Sequence, residues 1–187
     1  MAYLTDHNIG LDGVVAQHPY YKRHGFRTAY HNLRYEGVGG GIMPEGVVEI
    51  SEVPFEELLV YDAGIFPAAR PQFIKCWIEQ PEGIALAVIE DRRLAGYGVI
   101  RKCRTGHKIG PLFANTEHIA ENLFAALKSH VPGEAIFLDT PEVNPAAVEL
   151  AERHHMRVMF QTVRMYSREE PHISRTRIFG VSTFELG

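Results

Sequence analysis

Residues 107–138 read HKIGPLFANTEHIAENLFAALKSHVPGEAIFL, and this stretch decides the fold. His107 to Phe113 has the apolar, turn-bounded character of a strand. From Thr116 to Val131, Ile119, Leu123, Leu127 and Val131 recur every four residues, with Ala120 and Phe124 beside them, so the spacing predicts an amphipathic helix. Pro132-Gly133 stops it. Ala135 to Leu138 is short and wholly apolar, as a buried parallel strand is. Strand, helix and strand in this order require a right-handed crossover and two parallel strands. Ligands of such sheets collect at the carboxyl ends of strands where the order switches. That points to Ala114-Asn115-Thr116, at the start of the helix.

Working outward, the flanks add an antiparallel part. Val47 to Val53 alternates as a strand. Pro54 opens a helix with Phe55, Leu58, Leu59 and Asp62. Arg70-Pro71 precedes a second helix with Phe73, Ile74, Trp77 and Ile78 on one face. Ile84 to Ile89, a turn at Asp91-Arg92-Arg93, and Leu94 to Lys102 form a meander with the strand from His107. Downstream, Asn144-Pro145 opens a helix running to about His155. Arg157 to Tyr166 reads as a strand and Ile178 to Leu186 as an edge strand. The order after residue 46 is β-α-α-β-β-β-α-β-α-β, an α+β fold with a mixed, mostly antiparallel sheet flanked by helices.

Gly37-Val38-Gly39-Gly40-Gly41, closed by Pro44 and Gly46, reads as a linker over residues 37–46. It lacks the G-x-G-x-x-G pattern of a dinucleotide loop. Ahead of it stand a strand (Leu11 to Ala16), a short helix from Pro19 to Gly25 and a strand (Phe26 to Tyr35). These are too few to bury a core alone.

Composition narrows the function classes. The chain has 187 residues, 45% hydrophobic and 22% charged, with 19 basic against 23 acidic side chains and a net charge of −4. That balance gives no global attraction for nucleic acid or anionic membrane. Two cysteines, Cys76 and Cys103, make neither a disulfide scaffold nor a four-ligand zinc site. No metal site is expected, because the ten His are scattered. With no apolar run near 18–20 residues and no secretion-signal pattern at the start, a cytoplasmic protein is the expectation. Hydrolase and NTPase motifs are missing. Gly180-Val181-Ser182-Thr183-Phe184 fails the nucleophile-elbow pattern at its last position.

The element order resembles the GNAT superfamily of acyl-CoA-dependent N-acyltransferases. Gly96-Tyr97-Gly98-Val99-Ile100, followed by Gly110-Pro111-Leu112-Phe113-Ala114, resembles its central hairpin. Asn144-Pro145-Ala146-Ala147-Val148-Glu149-Leu150 resembles its Asn-x-x-Ala-x-x-Leu helix. The likeness covers residues 47–187, and is greatest to the second module of bacterial proteins with two such modules in tandem. Within 1–36, Pro19-Tyr20-Tyr21-Lys22-Arg23-His24-Gly25-Phe26 resembles the family's Tyr-x-x-x-Gly-Phe helix end, and Asn32 to Gly37 its last strand. On this reading residues 1–36 are the remnant of an upstream module.

The resemblance implies acetyl-CoA as co-substrate and a small-molecule or peptide amine as acceptor. The backbone of Leu112, Phe113 and Ala114 would pair with pantetheine. Asn115 and Thr116 would either donate to a CoA phosphate or cap their helix, and Asn144 would either bind CoA or cap. Tyr21 corresponds to the acid that protonates the leaving thiolate. Asp139, at a strand end, is a base or amine ligand, or a loop cap. Tyr166 is an acid or an edge aromatic. Arg101, Lys102, Arg104 and Lys108 form a basic hairpin that would either attract phosphates or an acidic substrate or, the commoner case, be a solvated tip.

There are departures. The family's glycine-rich phosphate loop is replaced by Ala114-Asn115-Thr116-Glu117-His118-Ile119-Ala120-Glu121, with two acidic residues where a pyrophosphate would approach. Ala151 stands in the tyrosine position of the second helix, and His155-Met156 in the Gly-Phe position. The alternative reading is therefore a catalytically degenerate module with a ligand-binding or structural role. A homodimer in which residues 1–36 complete a partner's sheet is a third.

Overall fold

The computed structural model describes Leu4 and residues 6–185. Its strands are β1 (Gly10–Val14), β2 (Arg27–Val38), β3 (Val47–Glu49), β4 (Gly83–Glu90), β5 (Arg93–Lys102), β6 (His107–Ala114), β7 (Ala135–Pro141), β8 (Arg157–Tyr166) and β9 (Ile178–Gly180). Its helices are α1 (His18–Arg23), α2 (Phe55–Ala63), α3 (Pro71–Ile78), α4 (Glu117–Ser129) and α5 (Pro145–Arg153). The strands form one sheet in the order β1-β8-β2-β7-β6-β5-β4-β3, with β9 paired to β6 off that path. All neighbours are antiparallel except β6 and β7, which are parallel as the crossover argument requires.

Alternation divides the core into two. Along β4 and β5, Leu86, Val88, Ala95 and Ile100 face α4 and α5, while Ala85, Ala87, Leu94, Tyr97 and Val99 face α2 and α3. The Gly96-x-Gly98 pair has a packing reason. A Cβ at Gly96 would stand 2.7 Å from Ile119 Cγ2, and one at Gly98 would stand 2.8 Å from Leu127 Cδ1, so α4 lies directly on the strand. On the opposite face Tyr97 donates to Asp62 at 2.5 Å, and Arg70 holds the same carboxylate with two hydrogen bonds at 2.8 and 2.9 Å. This buried network fixes the turn between α2 and α3.

Two expectations change here. Gly37 and Val38 belong to β2, and the glycines after them are docked rather than free. Gly39 N–H donates to Glu134 O at 2.8 Å and Gly40 N–H to Lys128 O at 2.6 Å, which ties the stretch to the end of α4. Segment 178–180 is not an edge strand. It lies against β6 beside β7, deep in the sheet. Leu186 and Gly187 fall outside the described residues.

The middle of the sheet has a local two-fold relation. β2 and β8 run antiparallel with Asn32 opposite Thr162, Tyr30 opposite Arg164 and Arg34 opposite Phe160. Each is preceded by a helix and, before that, by a strand: β1-α1-β2 and β7-α5-β8. Each helix ends in the same turn, in which Phe26 N–H donates to Tyr21 O at 3.2 Å and Met156 N–H to Ala151 O at 3.0 Å. Gly25 and His155 occupy the same left-handed position, at φ +89° and +56°. Each Arg then crosses to an Asp on the other unit's first strand: Arg34 to Asp139 and Arg164 to Asp12.

Candidate functional site: a strand cleft and a polar cavity

β6 and β7 pair only through His107–Ile109 and Ile136–Leu138. Beyond that point β9 takes over, with Gly180 opposite Leu112 and Ile178 opposite Phe113, while Val181 N–H donates to Asp139 O at 2.8 Å. The segment from 178 to 181 thus bridges the two parting strands. Two small residues make room for it. A Cβ at Gly110 would stand 2.4 Å from Val181 O, and a Cβ at Gly180 would stand 2.7 Å from Leu138 Cδ1.

Asn144 is buried and starts α5, but its side chain does not cap the helix. Its Nδ2 donates to Ile178 O at 2.9 Å and to Thr176 O at 3.4 Å, so it fastens β9 from outside the ladder. The backbone at Leu112 and Phe113, read from the sequence as pantetheine-binding, is paired with β5 on one edge and β9 on the other. At the end of β6, Asn115 and Thr116 are exposed. Thr116 Oγ1 accepts from Ile119 N–H at 3.3 Å, a helix cap, and Asn115 Oδ1 lies 3.1 Å from Tyr61 Oη.

On the α2/α3 face lies a cavity of about 30 Å³ bordered by Asp12, Tyr30, Asn32, Arg164, Tyr166 and Ser182. That is room for about two waters. Its charges are paired: Arg164 Nη1 donates to Asp12 Oδ2 at 2.7 Å, and Arg164 Nε to Tyr166 Oη at 3.1 Å. Asn32 Nδ2 donates to Asp12 Oδ1 at 2.6 Å. Asn32 Oδ1 and Ser182 Oγ, both buried, have no hydrogen-bond partner among the described residues. Burial, reinforced by Tyr166 nearby, holds the Tyr30 phenol far above the usual tyrosine range, so it stays protonated. Tyr166 is buried on this cavity rather than an edge aromatic.

Asp139 has no accessible surface. Arg34 Nε and Nη2 donate to its two oxygens at 2.7 and 2.8 Å, and Lys108 Nζ also donates to it. Both oxygens of Asp139 are thus engaged by cationic donors, and in this structure neither faces an open site. Lys108 is correspondingly not part of a solvated hairpin. It is buried, and burial pulls its pKa down although Asp139 pulls the other way. The Phe184 ring covers both cations, 4.7 Å from Arg34 Cζ and 5.1 Å from Lys108 Nζ. Tyr21 stands apart from both cleft and cavity. It packs with Phe26, Val163 and Met165, and Gly13 leaves space for its ring. Sequence reasoning missed Asn32, Asp12, Tyr30 and Arg164. The equal spacing from Tyr21 to Arg34 and from Ala151 to Arg164 was the available signal. Among the described residues no group of three or more His, Cys, Asp or Glu could hold a metal ion.

Residues 58–180 match the family model of the acetyltransferase (GNAT) domain. A holothin acyltransferase from Pseudoalteromonas sp. (strain SANK 73390) is 27% identical over 183 residues, covering 96% of this chain and 62% of that protein. A presumed acetyltransferase from Pyrococcus horikoshii superposes with a TM-score of 0.80 at 23% identity, covering 95% of this chain and 59% of the other. An acetyltransferase of the GNAT family from Colwellia psychrerythraea superposes with a TM-score of 0.56 at 13% identity, over 85% of this chain and 63% of that one. The chain therefore spans about three-fifths of the length of these relatives. The mixed sheet, the parting parallel strands and a match over most of its length agree: the chain belongs to the GNAT acetyltransferase family.

Proposed function

We propose that this chain forms part of an N-acetyltransferase that moves an acetyl group from acetyl-CoA to the amine of a small molecule or peptide. The observation that carries the reading is the parting of β6 and β7 after Ile109 and Leu138, beside the start of α4. Pantetheine is extended and carries amides, so the edge of β6 past Phe113, at Ala114, where the pairing with β9 ends, suits it. The neutral amine nitrogen attacks the thioester carbonyl carbon and gives up a proton to a base or water, the C–S bond breaks, and the thiolate leaves with a proton from an acid. The acceptor lies on the α2/α3 face, where Tyr166 and Tyr30 supply phenols and Asn32 Oδ1 is an acceptor still open to an N–H. The phosphate end of the donor fits less well, because Glu117 stands in the first turn of α4.

We further propose that residues 1–36 are the closing part of an upstream module in a longer protein. The two-fold relation of β1-α1-β2 to β7-α5-β8 and the greater length of the relatives support this. Localisation in the cytoplasm belongs to the same proposal, and no helix among the described residues is long and apolar enough to cross a membrane.

The test is calorimetric titration with acetyl-CoA, with CoA as control, followed by detection of free thiol across a panel of amines. Saturable micromolar binding and amine-dependent thiol release are expected, and Tyr166→Phe should cut the release rate at least tenfold. A folded chain that binds neither compound up to millimolar would sink the donor site and leave the non-catalytic module as the reading.

A further inference from the structure

We infer that the cavity on the α2/α3 face selects weakly basic amines, those that are uncharged near neutral pH, with an aromatic amine as the type. This rests on the acceptor place proposed above and names its substrate class.

Two buried acceptors carry the inference. Asn32 and Ser182 are each 1% exposed and both border the cavity, and Asn32 Oδ1 and Ser182 Oγ lack a hydrogen-bond partner among the described residues. The orientation of Asn32 is fixed by its neighbour. As a carboxylate Asp12 only accepts, so the amide turns Nδ2 toward it, at 2.6 Å, and Oδ1 is the end left over. Buried polar atoms without partners are costly and rare, so a pair of them on one cavity marks a place for a donor. Two open acceptors match the two N–H bonds of a neutral amino group and leave its lone pair free for the thioester carbonyl. An ammonium has three N–H bonds and no lone pair.

The walls offer an ammonium no counter-charge. Asp12 is held by Arg164 Nη1 at 2.7 Å, by Asn32 and by Thr162 Oγ1 at 3.2 Å, and its side chain is 1% exposed. On the same face Asp62 is paired with Arg70, and Asp139 with Arg34 and Lys108. In the loop after β8, Glu170 is paired with Arg175, whose guanidinium carbon stands 5.9 Å from the centre of the Tyr30 ring. An alkylammonium would bury its charge uncompensated beside Arg164. Its neutral form is scarce, because an amine as basic as lysine is uncharged in about one molecule in 2,500 at pH 7. An aromatic amine shares its lone pair with the ring and enters uncharged. It needs no base before attack. The C–N bond forms, the nitrogen sheds a proton to water, the C–S bond breaks and the thiolate takes a proton, giving the amide and the CoA thiol.

The shape agrees. The closed part holds about two waters, enough for an amino group and the carbon that bears it. With its open mouth the empty space is about 400 Å³, the size of a small-molecule site. Ile65, Phe66, Pro67 and Ile173 give it apolar walls against which a ring packs.

Aniline and cyclohexylamine have the same number of heavy atoms and differ in basicity, so together they separate charge from size. The side-chain amide of Asn32, identified by its loss in Asn32→Leu, is followed by NMR in the unaltered chain during titration with each amine at pH 7 and pH 9. Aniline should shift it saturably and alike at both pH values. Cyclohexylamine should bind at least tenfold more weakly at pH 7 and gain affinity toward pH 9, as its neutral fraction grows. Ser182→Ala should weaken aniline binding about fivefold. Equal or tighter binding of cyclohexylamine at pH 7, an aniline affinity unmoved in Ser182→Ala, or no shift with either amine overturns the inference. Thiol release from acetyl-CoA is read in the same samples. Release without movement at Asn32 also overturns the inference and leaves the transferase standing. A saturable aniline shift without release keeps the amine site and removes the transferase reading.

Discussion

Replacing Asp139 by Asn removes the carboxylate that Arg34 and Lys108 share. The two cations differ in what they can do next. The Arg34 side chain is 28% exposed and can hydrate, whereas that of Lys108 is 5% exposed and cannot. Removing one partner of a buried ion pair costs about 3–5 kcal/mol, because the remaining charge is left uncompensated. Lys108 has one escape, which is to lose its proton. From an unfolded value of 10.5, that escape caps its cost at about 5 kcal/mol at pH 7 and about 2 kcal/mol at pH 9. The sign follows from linkage. Burial lowers the folded-state pKa of Lys108, so between the folded and unfolded values the unfolded chain holds more protons, and stability rises with pH. Urea unfolding followed by the fluorescence of Trp77, the single tryptophan, should show a loss of about 3–5 kcal/mol at pH 7 that shrinks to about 2 kcal/mol at pH 9. In a thermal melt the pH 7 loss corresponds to roughly 6–20 °C. Adding Lys108→Met should return at least half of it, since the stranded charge is then gone. A loss under about 1 kcal/mol at pH 7, or one that grows toward pH 9, would refute the account of this cluster.

Other substitutions test the packing. Gly96→Ala places a methyl 2.7 Å from Ile119 and 2.9 Å from the Phe113 carbonyl, and should cost about 1–3 kcal/mol in urea unfolding. His155→Gly relieves a left-handed position and should raise stability by about 1 kcal/mol, whereas Gly25→Ala, at the related turn, should lower it by a similar amount. Tyr30 and Tyr97 are both held protonated by burial, so ultraviolet titration should show both silent through the usual tyrosine range. Because their folded values lie above the unfolded one, stability should fall as pH rises past 10.

Much of the sheet was legible because its signals are local. The four-residue recurrence of Ile119, Leu123 and Leu127 gave α4, and alternation along β4 and β5 gave a meander with two buried faces. Partner choice was not legible. A two-residue period says that 27–38 is a strand, but nothing local says that it lies between β7 and β8, more than 90 residues away in sequence. The glycine run looked like a linker for the same reason: the groups that hold Gly39 and Gly40 come from the far end of α4. Asp139 and Lys108 were read singly, as a strand-end acid and a hairpin cation, whereas their burial together is a property of the assembled sheet. Asn144 was expected either to cap or to bind, and its carbonyl partners on β9 could be named only once that strand had been placed.

The position of β2 also sets an order of events during synthesis. It leaves the ribosome well before its neighbours β7 and β8, which begin at residues 135 and 157. At about 5–20 residues per second, β2 waits roughly 5–19 s for β7 with both edges unpaired, and roughly 6–24 s for β8. During that interval Tyr30, Leu33 and Tyr35, all buried in the finished protein, face solvent on a twelve-residue strand. Such a strand recruits whatever edge arrives first. Chaperone dependence and losses to aggregation should therefore trace to residues 27–38 rather than to the meander, whose strands find their partners within a few residues of one another.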